Sequence, residues 1–328
     1  MEKALVTGAT GLIGFNIVRQ LLDAGVPVAA LVRSPERART MLPAACELIK
    51  GDVTDAASLA AAVRGCQIVY HAAGFPEQWM KDPGIFTEVN VGGTRNMLEA
   101  SRQAGVRRFV YTSTIDVFRA GPGERYDETE LDPKPKGTYY ERSKQEADQL
   151  AVDFLQKGMD IVFLHPSGLY GPGPSTSPGL NLLIIDLKKG KIPMLLPGGF
   201  PVVFSEDVAR GHLLAANKAK AGDRFILSEN YFDLADVARI VCDQLGIKKV
   251  PRVMPLWMGK TISIAGEALS SITGRPPLIP RGQLHFMQWR AIPVSTHAQQ
   301  ALGWKPLEFK EGIRQTIAYL QSTGALPR

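Results

Sequence analysis

Ala4-Leu5-Val6-Thr7-Gly8-Ala9-Thr10-Gly11-Leu12-Ile13-Gly14 decides the fold of this 328-residue chain. A short apolar, strand-like run passes directly into three glycines, and the residues after Gly11 open a helical pattern. Glycines at these points permit a tight turn, a close backbone approach to a ligand and close packing of helix on strand. The positive end of the helix then faces a pyrophosphate. The spacing is G-x-x-G-x-x-G, not the commoner G-x-G-x-x-G, and such a turn often serves only to join strand to helix. Its place after the first of several alternating strands is what favours a cofactor. Gly8, Thr10, Gly11, Leu12, Ile13 and Gly14 are therefore expected to cradle a dinucleotide.

Outward from this turn the chain alternates. Nearly all-apolar runs at residues 3–7, 27–32, 46–49, 67–71, 107–112 and 160–165 read as strands with both faces buried. Helical stretches lie between them at 12–24, 56–64, 85–104 and 139–157, with Asp55 before one and Gly25, Gly65, Gly105 and Gly158 after the four. This predicts a doubly wound α/β domain with a parallel sheet and right-handed crossovers. After about Gly171 the rhythm breaks, and residues 171–179 read as an irregular connection. Beyond it a helix at 207–218, a strand at 224–227, a helix at 234–245, and amphipathic stretches at 256–272 and 309–321 are expected, with a proline-rich break at 276–280. Residues 1–172 form the expected dinucleotide-binding domain, and 173–328 mainly a smaller mixed substrate lobe, with segments at about 200–230 returning to the first domain.

Hydrophobic residues make up 45% of the chain and charged ones 21%, which is ordinary globular composition. The formal charge is +6, but Lys and Arg are spread along the sequence rather than gathered in blocks, so nucleic acid is not the expected partner. Cys46, Cys66 and Cys242 are odd in number and widely spaced, indicating neither a disulfide framework nor a metal site. The chain runs from Met-Glu-Lys straight into its first strand, and no apolar run approaches the roughly 20 residues that span a bilayer. Cytoplasmic residence without a membrane span is the resulting expectation.

An NAD-binding unit carries Asp or Glu about 20 residues beyond the glycine turn, on the ribose 2′-hydroxyl. Here Leu31-Val32 is followed by Arg33, with Arg37 and Arg39 nearby. A guanidinium suits a 2′-phosphate through paired hydrogen bonds. The expected cofactor is NADP, with NAD as the alternative, although an Arg at a strand end is often merely solvated.

The fifth strand ends Val110-Tyr111-Thr112-Ser113-Thr114, which brings hydroxyls to the carboxyl edge of the sheet where ligands bind. In the next helix Tyr140-Glu-Arg-Ser-Lys144 puts a phenol and an ammonium on one face. Such a pair often just covers a solvated face. Beside a cofactor, though, Tyr140 would give a proton to the alkoxide left by hydride transfer. Lys144 would lower its pKa from about 10 and reach ribose hydroxyls, and Thr114 would hold the substrate oxygen.

With these residues the chain resembles the extended short-chain dehydrogenase/reductase family, across nearly its whole length. The glycine turn is followed in family order by Gly51-Asp52-Val53, His71-Ala72-Ala73, Asn90-Val91-Gly92-Gly93-Thr94, Thr112-Ser113-Thr114 and Tyr140-x-x-x-Lys144. Then come Pro166-Ser167-Gly168-Leu169-Tyr170-Gly171-Pro172-Gly173, Glu206-Asp207-Val208-Ala209 and Leu302-Gly303-Trp304. The resemblance implies a Rossmann sheet of about seven strands, adenine contacts at Asp52 and Val53, backbone contacts at Ala72 and Ala73, and nicotinamide-side contacts at Pro166 and Ser167. Its register favours Thr114 over Ser113 as the substrate-facing hydroxyl, a choice the residues alone leave open. Asn90 reads equally as a loop-binding helix residue or a cofactor contact. His71 and His165 read as packing or hydrogen-bonding residues, and no metal is expected.

Sugar-nucleotide members carry Arg and His in a stretch that here reads Phe200-Pro-Val-Val-Phe-Ser-Glu-Asp207, without either. A less charged substrate is implied. Residues 254–269 look like a C-terminal helix of the dihydroflavonol reductase and 3β-hydroxysteroid dehydrogenase branches, where Trp257 and Met258 would line an apolar pocket or simply be core. The expected function is NAD(P)H-dependent reduction of a ketone to a secondary alcohol, or the reverse, on a mainly apolar small molecule, with a homodimer as a possible assembly. The alternatives are a sugar-nucleotide epimerase or dehydratase with tightly bound NAD, and a non-catalytic cofactor sensor.

Overall fold

Runs that are apolar on both faces need cover on both faces, and the chain supplies it. The computed structural model describes residues 2–77, 79–174 and 179–327. The six apolar runs become strands Ala4–Thr7, Val28–Val32, Glu47–Lys50, Ile68–His71, Arg108–Thr112 and Ile161–Pro166, and Arg224–Leu227 adds the seventh. The sheet is parallel, in the order Arg224–Leu227, Ile161–Pro166, Arg108–Thr112, Ile68–His71, Ala4–Thr7, Val28–Val32, Glu47–Lys50. Winding reverses between Ala4–Thr7 and Ile68–His71, so the ligand crevice of such a sheet lies beyond Thr7 and His71, which are register partners. One expectation fails at the edge: Glu47–Lys50 has no fully buried residue, because only one strand flanks it and its outer side meets water.

One face of the sheet is filled by Leu5, Leu31, Val69, Phe109 and Phe163 against Leu59, Met97, Ala151 and Phe154. The other carries Val6, Ala30, Val110 and Val162 against Ile17, Val18, Ala209 and Ala215. Each such Val, Leu or Phe contributes about 1.5–3 kcal/mol on leaving water. Gly25, Gly65, Gly105 and Gly158 take φ of +75°, +71°, +69° and +90°, the left-handed conformation that ends a helix and that Gly adopts without strain. Asp55 caps its helix by accepting from Ala57 N at 3.1 Å. Thr138 and Glu141 form a reciprocal capping box at the start of Tyr139–Gln156, which fixes the turn that bears Tyr140.

The helix expected at 85–104 is instead a helical turn Gly84–Phe86, a π-helical stretch Thr87–Gly92 and a regular helix Gly93–Gln103. The wide turn aims Asn90 inward, where Oδ1 accepts from Phe75 N at 2.7 Å and Nδ2 donates to Ser143 Oγ at 2.8 Å. Asn90 therefore ties the loop after the fourth strand to the helix of Tyr140, the simpler of its two expected roles.

In the C-terminal part, Gly168–Tyr170, Gly199–Phe204 and Asn230–Asp233 form a three-stranded sheet that the sequence did not signal; its central strand runs through Pro201, a residue that argues against a strand in the sequence. Tyr170, Ile184, Val237, Ile313 and Leu320 make a separate core beneath it. Ser205–Lys218 packs along Leu12–Asp23, and Trp304 is fully buried beside them, its Nε1 donating to Asp207 O at 2.8 Å. Residues 175–178 of the expected irregular connection lie outside the described residues. Helices Leu256–Thr273 and Arg281–Trp289 pack on each other through Met258, Ile262 and Leu284. Trp257 is 69% exposed, so it is not core, while Met258 is turned inward. Among the described residues no helix is long and apolar enough to cross a membrane.

Candidate active site

The glycine turn is built for close approach. Gly8 has φ +66°, and a Cβ there would stand 2.5 Å from Ala72 O; one at Gly14 would stand 2.3 Å from Gly8 O. The turn thus lies directly on the backbone of Ala72 and Ala73, which the sequence had placed in the site. Thr7 Oγ1, 2.8 Å from His71 Nδ1, accepts from Ala73 N at 3.2 Å and locks the two strand ends together. Gly11 precedes the helix Leu12–Asp23 without a side-chain cap, which leaves the Leu12, Ile13 and Gly14 amides without intrahelical partners. Arg33 is exposed at the end of Val28–Val32, as is Arg37 on the helix Pro35–Arg39, whereas Arg39 is tied to Ala44 and Cys46 carbonyls. Asp52 Oδ1 accepts from Thr54 N and Oγ1, both at 2.9 Å, and Val53 is buried against Gly93.

Pro166 ends its strand, and Ser167 is 6% exposed with its Oγ lacking any partner among the described residues. A turn with glycine at its points of closest approach, free amides and an orphaned buried hydroxyl together fit a dinucleotide running from the glycine turn toward Ser167.

Ser113 and Thr114 separate by what holds them. Ser113 Oγ donates to Asp148 Oδ2 at 2.6 Å, and Asp148 Oδ1 pairs with Arg224 at 2.8 Å, with side chains only 2% and 14% exposed. Arg224 Nη1 also lies 3.2 Å from His165 Nε2. A guanidinium only donates, so Nε2 accepts and Nδ1 carries the hydrogen given to Thr114 O at 3.1 Å. Burial drives the His165 pKa down to about 3, so the ring is neutral, as this chain of bonds requires. Burial does the same at His71, to about 3, with the Lys144 charge adding to it.

Thr114 Oγ1 instead donates to Asp116 Oδ2 at 2.8 Å. Asp116 is 7% exposed and its Oδ1 has no partner among the described residues. Burial, aided by the Glu141 charge, pushes its pKa up to about 7 against the opposing Thr114 bond, Lys136 and Lys144. Tyr140 stands beside this pair. Burial and then the Asp116 charge raise its phenol above the ordinary value, while a hydrogen bond with Thr114 works the other way. Lys144 Nζ donates to Thr112 O at 2.8 Å and lies over the Tyr111 ring, 5.0 Å from its centre. Burial brings the Lys144 pKa down to about 8 although Asp148 and Asp116 favour its charge.

Asp116 was missed in the sequence; its one signal was a carboxylate set between Ile115 and Val117 just past the hydroxyl-rich strand end. With Glu141, Lys136, His285, Phe286 and Trp289 it lines a cavity of about 60 Å³, so the helix Arg281–Trp289 closes over this end of the site. A more open groove of about 570 Å³ at Arg119, Arg125, Tyr126 and Asp127 includes none of Thr114, Tyr140 and Lys144. Among the described residues no cluster of His, Cys, Asp and Glu could hold a metal.

Residues 4–227 match the sequence model of the NAD dependent epimerase/dehydratase family. A Synechocystis sp. protein with the provisional name dihydroflavonol 4-reductase is 31% identical over 97% of this chain and 94% of its own. The 4-hydroxy-2-methyl-3-oxo-4-farnesyl-3,4-dihydroquinoline-1-oxide ketoreductase of Stigmatella aurantiaca is 28% identical over 81% of this chain and 80% of its own. Among solved structures, the UDP-glucose 4-epimerase of Thermus thermophilus in complex with NAD superposes with a TM-score of 0.77 at 26% identity, over 97% of this chain and 99% of that one.

Proposed function

The chain belongs to the NAD-dependent epimerase/dehydratase family and is an enzyme of the extended short-chain dehydrogenase/reductase type; from that premise we propose that it reduces a ketone on a mainly apolar small molecule to a secondary alcohol. The observation that carries the reading is the grouping of Thr114, Tyr140 and Lys144 at the carboxyl edge of the sheet, the edge that also bears the glycine turn.

A nicotinamide dinucleotide, when bound, supplies the hydride. Gly8, Thr10, Gly11, Leu12, Ile13 and Gly14 hold its phosphates, Asp52 and Val53 its adenine end, and Pro166 and Ser167 its other end. Arg33 gives NADP the advantage over NAD. Thr114 Oγ1 turns to the substrate oxygen the one hydrogen that it gives Asp116 in the free protein, and Tyr140 gives that oxygen its phenolic proton. A phenol held above its ordinary pKa arrives protonated at neutral pH, as reduction needs; the reverse oxidation needs the phenolate and is favoured by alkaline solution. Lys144 has three N–H donors and directs one to Thr112 O and another, longer at 3.4 Å, to the Tyr111 hydroxyl, so one remains free for the ribose. The apolar substrate is supported by the absence of Arg and His from Gly199–Phe204 and the two acids that follow, and by the farnesylated ketone in the name of the Stigmatella relative.

The test is oxidation of NADPH and NADH with apolar ketones beside UDP-sugars. Turnover with a ketone and no epimerisation is expected. Epimerisation alone would favour the second reading, which the likeness to the Thermus enzyme supports. Tyr140→Phe should lower kcat by about 10²–10⁴-fold with cofactor affinity kept; undiminished turnover would refute the acid role.

A further inference from the structure

Residues 246–290 contain seven basic side chains and a single acid, Glu267, an excess of six that equals the +6 of the whole chain. Basic residues are indeed spread along the sequence, but their excess over acids is not: outside this stretch the charges balance. Glu267 is already paired with Arg281 at 2.9 Å. Lys248, Lys249, Arg252 and Lys260 are exposed and have no acidic partner among the described residues.

The same stretch holds five of the eight exposed large hydrophobic residues described: Val253 at 43%, Trp257 at 69%, Ile264 at 54%, Leu269 at 60% and Leu278 at 85%. Trp257 and Ile264, seven residues apart, lie one above the other on the helix Leu256–Thr273. The opposite side of that helix is committed inward, through Met258 and Ile262 onto Met254, Ile279 and Leu284. An outward Trp and Ile with Lys260 on their flank, and a Leu269 exposed near the helix end about a third of a turn round, in a stretch that carries the chain's whole cationic excess, do not make an ordinary solvated face.

We propose that this helix, with Val253 before it and Leu278 after it, docks the protein on an anionic phospholipid surface. The apolar residues enter the boundary of headgroups and acyl chains, and Lys248, Lys249, Arg252 and Lys260 meet the phosphates. Charge decides the occupant. A second copy joined about a twofold axis would set the same cationic patch against itself, with one acid per copy to offset it. An anionic bilayer is complementary to it, and Trp suits the interface between apolar and wet zones. The helix lies on the bilayer rather than in it, since no described helix is long and apolar enough to cross. This inference does not depend on which substrate the enzyme reduces.

Flotation of the full-length protein with vesicles of phosphatidylcholine alone, and of phosphatidylcholine mixed equally with phosphatidylglycerol, tests it. Binding to the mixed vesicles only, weakened by salt, is expected. Lys248→Gln, Lys249→Gln and Arg252→Gln should each weaken it about fivefold, on the order of a hundredfold together. Trp257→Ser with Leu269→Ser should weaken it as well. All are exposed positions outside the catalytic and cofactor machinery, so NADPH affinity and turnover of a water-soluble ketone should be unchanged, which also verifies folding. Failure to float with mixed vesicles, equal flotation with phosphatidylcholine alone, or undiminished binding by the triple variant would overturn the proposal. So would a dimer in sedimentation that dissociates in Trp257→Ser without lipid being involved.

Discussion

Asp116→Asn tests the electrostatics of the site through stability. Asp116 is buried, and its ordinary pKa of 3.8 rises to about 7 in the folded protein. A rise of that size corresponds to about 4 kcal/mol. The sign follows from proton binding: between about pH 4 and pH 7 the folded protein keeps a proton that the unfolded chain has lost, so stability falls as pH rises through that window and levels off above it. Asn does not titrate, and groups that the Asp116 charge does not reach cancel in the comparison; Lys144, which that charge helps to keep protonated, titrates near pH 8 and adds a smaller change at the upper end. Urea unfolding of both proteins, followed by circular dichroism at about pH 4.5 and about pH 8.5, should show the variant gaining about 3 kcal/mol relative to wild type, the remainder having been lost already below pH 4.5. In activity the same titration should put an inflection near pH 7 in kcat/KM that the variant lacks. A difference between the two proteins that is the same at both pH values would refute the reasoning, and with it the link between the Asp116 charge and the Tyr140 phenol.

Arg224→Met should destabilise the protein by about 3–5 kcal/mol, because it strands the buried Asp148 carboxylate, and adding Asp148→Asn should recover part of that loss in urea titrations. Gly8→Ala places a methyl 2.5 Å from Ala72 O at a φ of +66°; fluorescence titration should find cofactor affinity at least about tenfold lower, with about 1–2 kcal/mol of stability lost as well. Arg33→Ala should raise KM for NADPH about tenfold and leave that for NADH nearly unchanged, as expected for a charge-assisted contact to a 2′-phosphate; an unaltered preference would remove Arg33 from the site.

What the sequence made legible is what local pattern controls. Strands buried on both faces announce themselves as apolar runs, helix ends as glycines, and the cofactor turn as glycines at a strand-to-helix junction, so all seven strands of the main sheet stood near their expected positions. The three-stranded sheet of the lobe did not, because Gly168–Tyr170 and Asn230–Asp233 are short and Pro201 breaks the pattern between them. Thr114, Tyr140 and Lys144 were visible as a motif. Their surroundings were not: Asp148, His165 and Arg224 meet only after the chain has crossed the sheet, and pairing over such separations leaves no local trace, whereas Asp116, two residues from Thr114, reads only as an acid between two apolar residues. Trp257 shows the limit from the other side, since an aromatic at helical spacing is the same string of letters whether it faces a core, a pocket or the outside.

The bond from Arg224 to Asp148 and His165 has a consequence for the order in which the protein is made. The strand and helix that present Ser113, Thr114, Tyr140 and Lys144 are synthesised about eighty residues before the arginine that braces them arrives. A growing chain can therefore lay down six strands and its cofactor turn while the reactive hydroxyls still lack their bracing. Arg224 stands on the last of the seven strands in chain order, at the sheet's edge, so Asp148 under Ser113 and His165 under Thr114 gain their shared cation only once that strand has been made and paired.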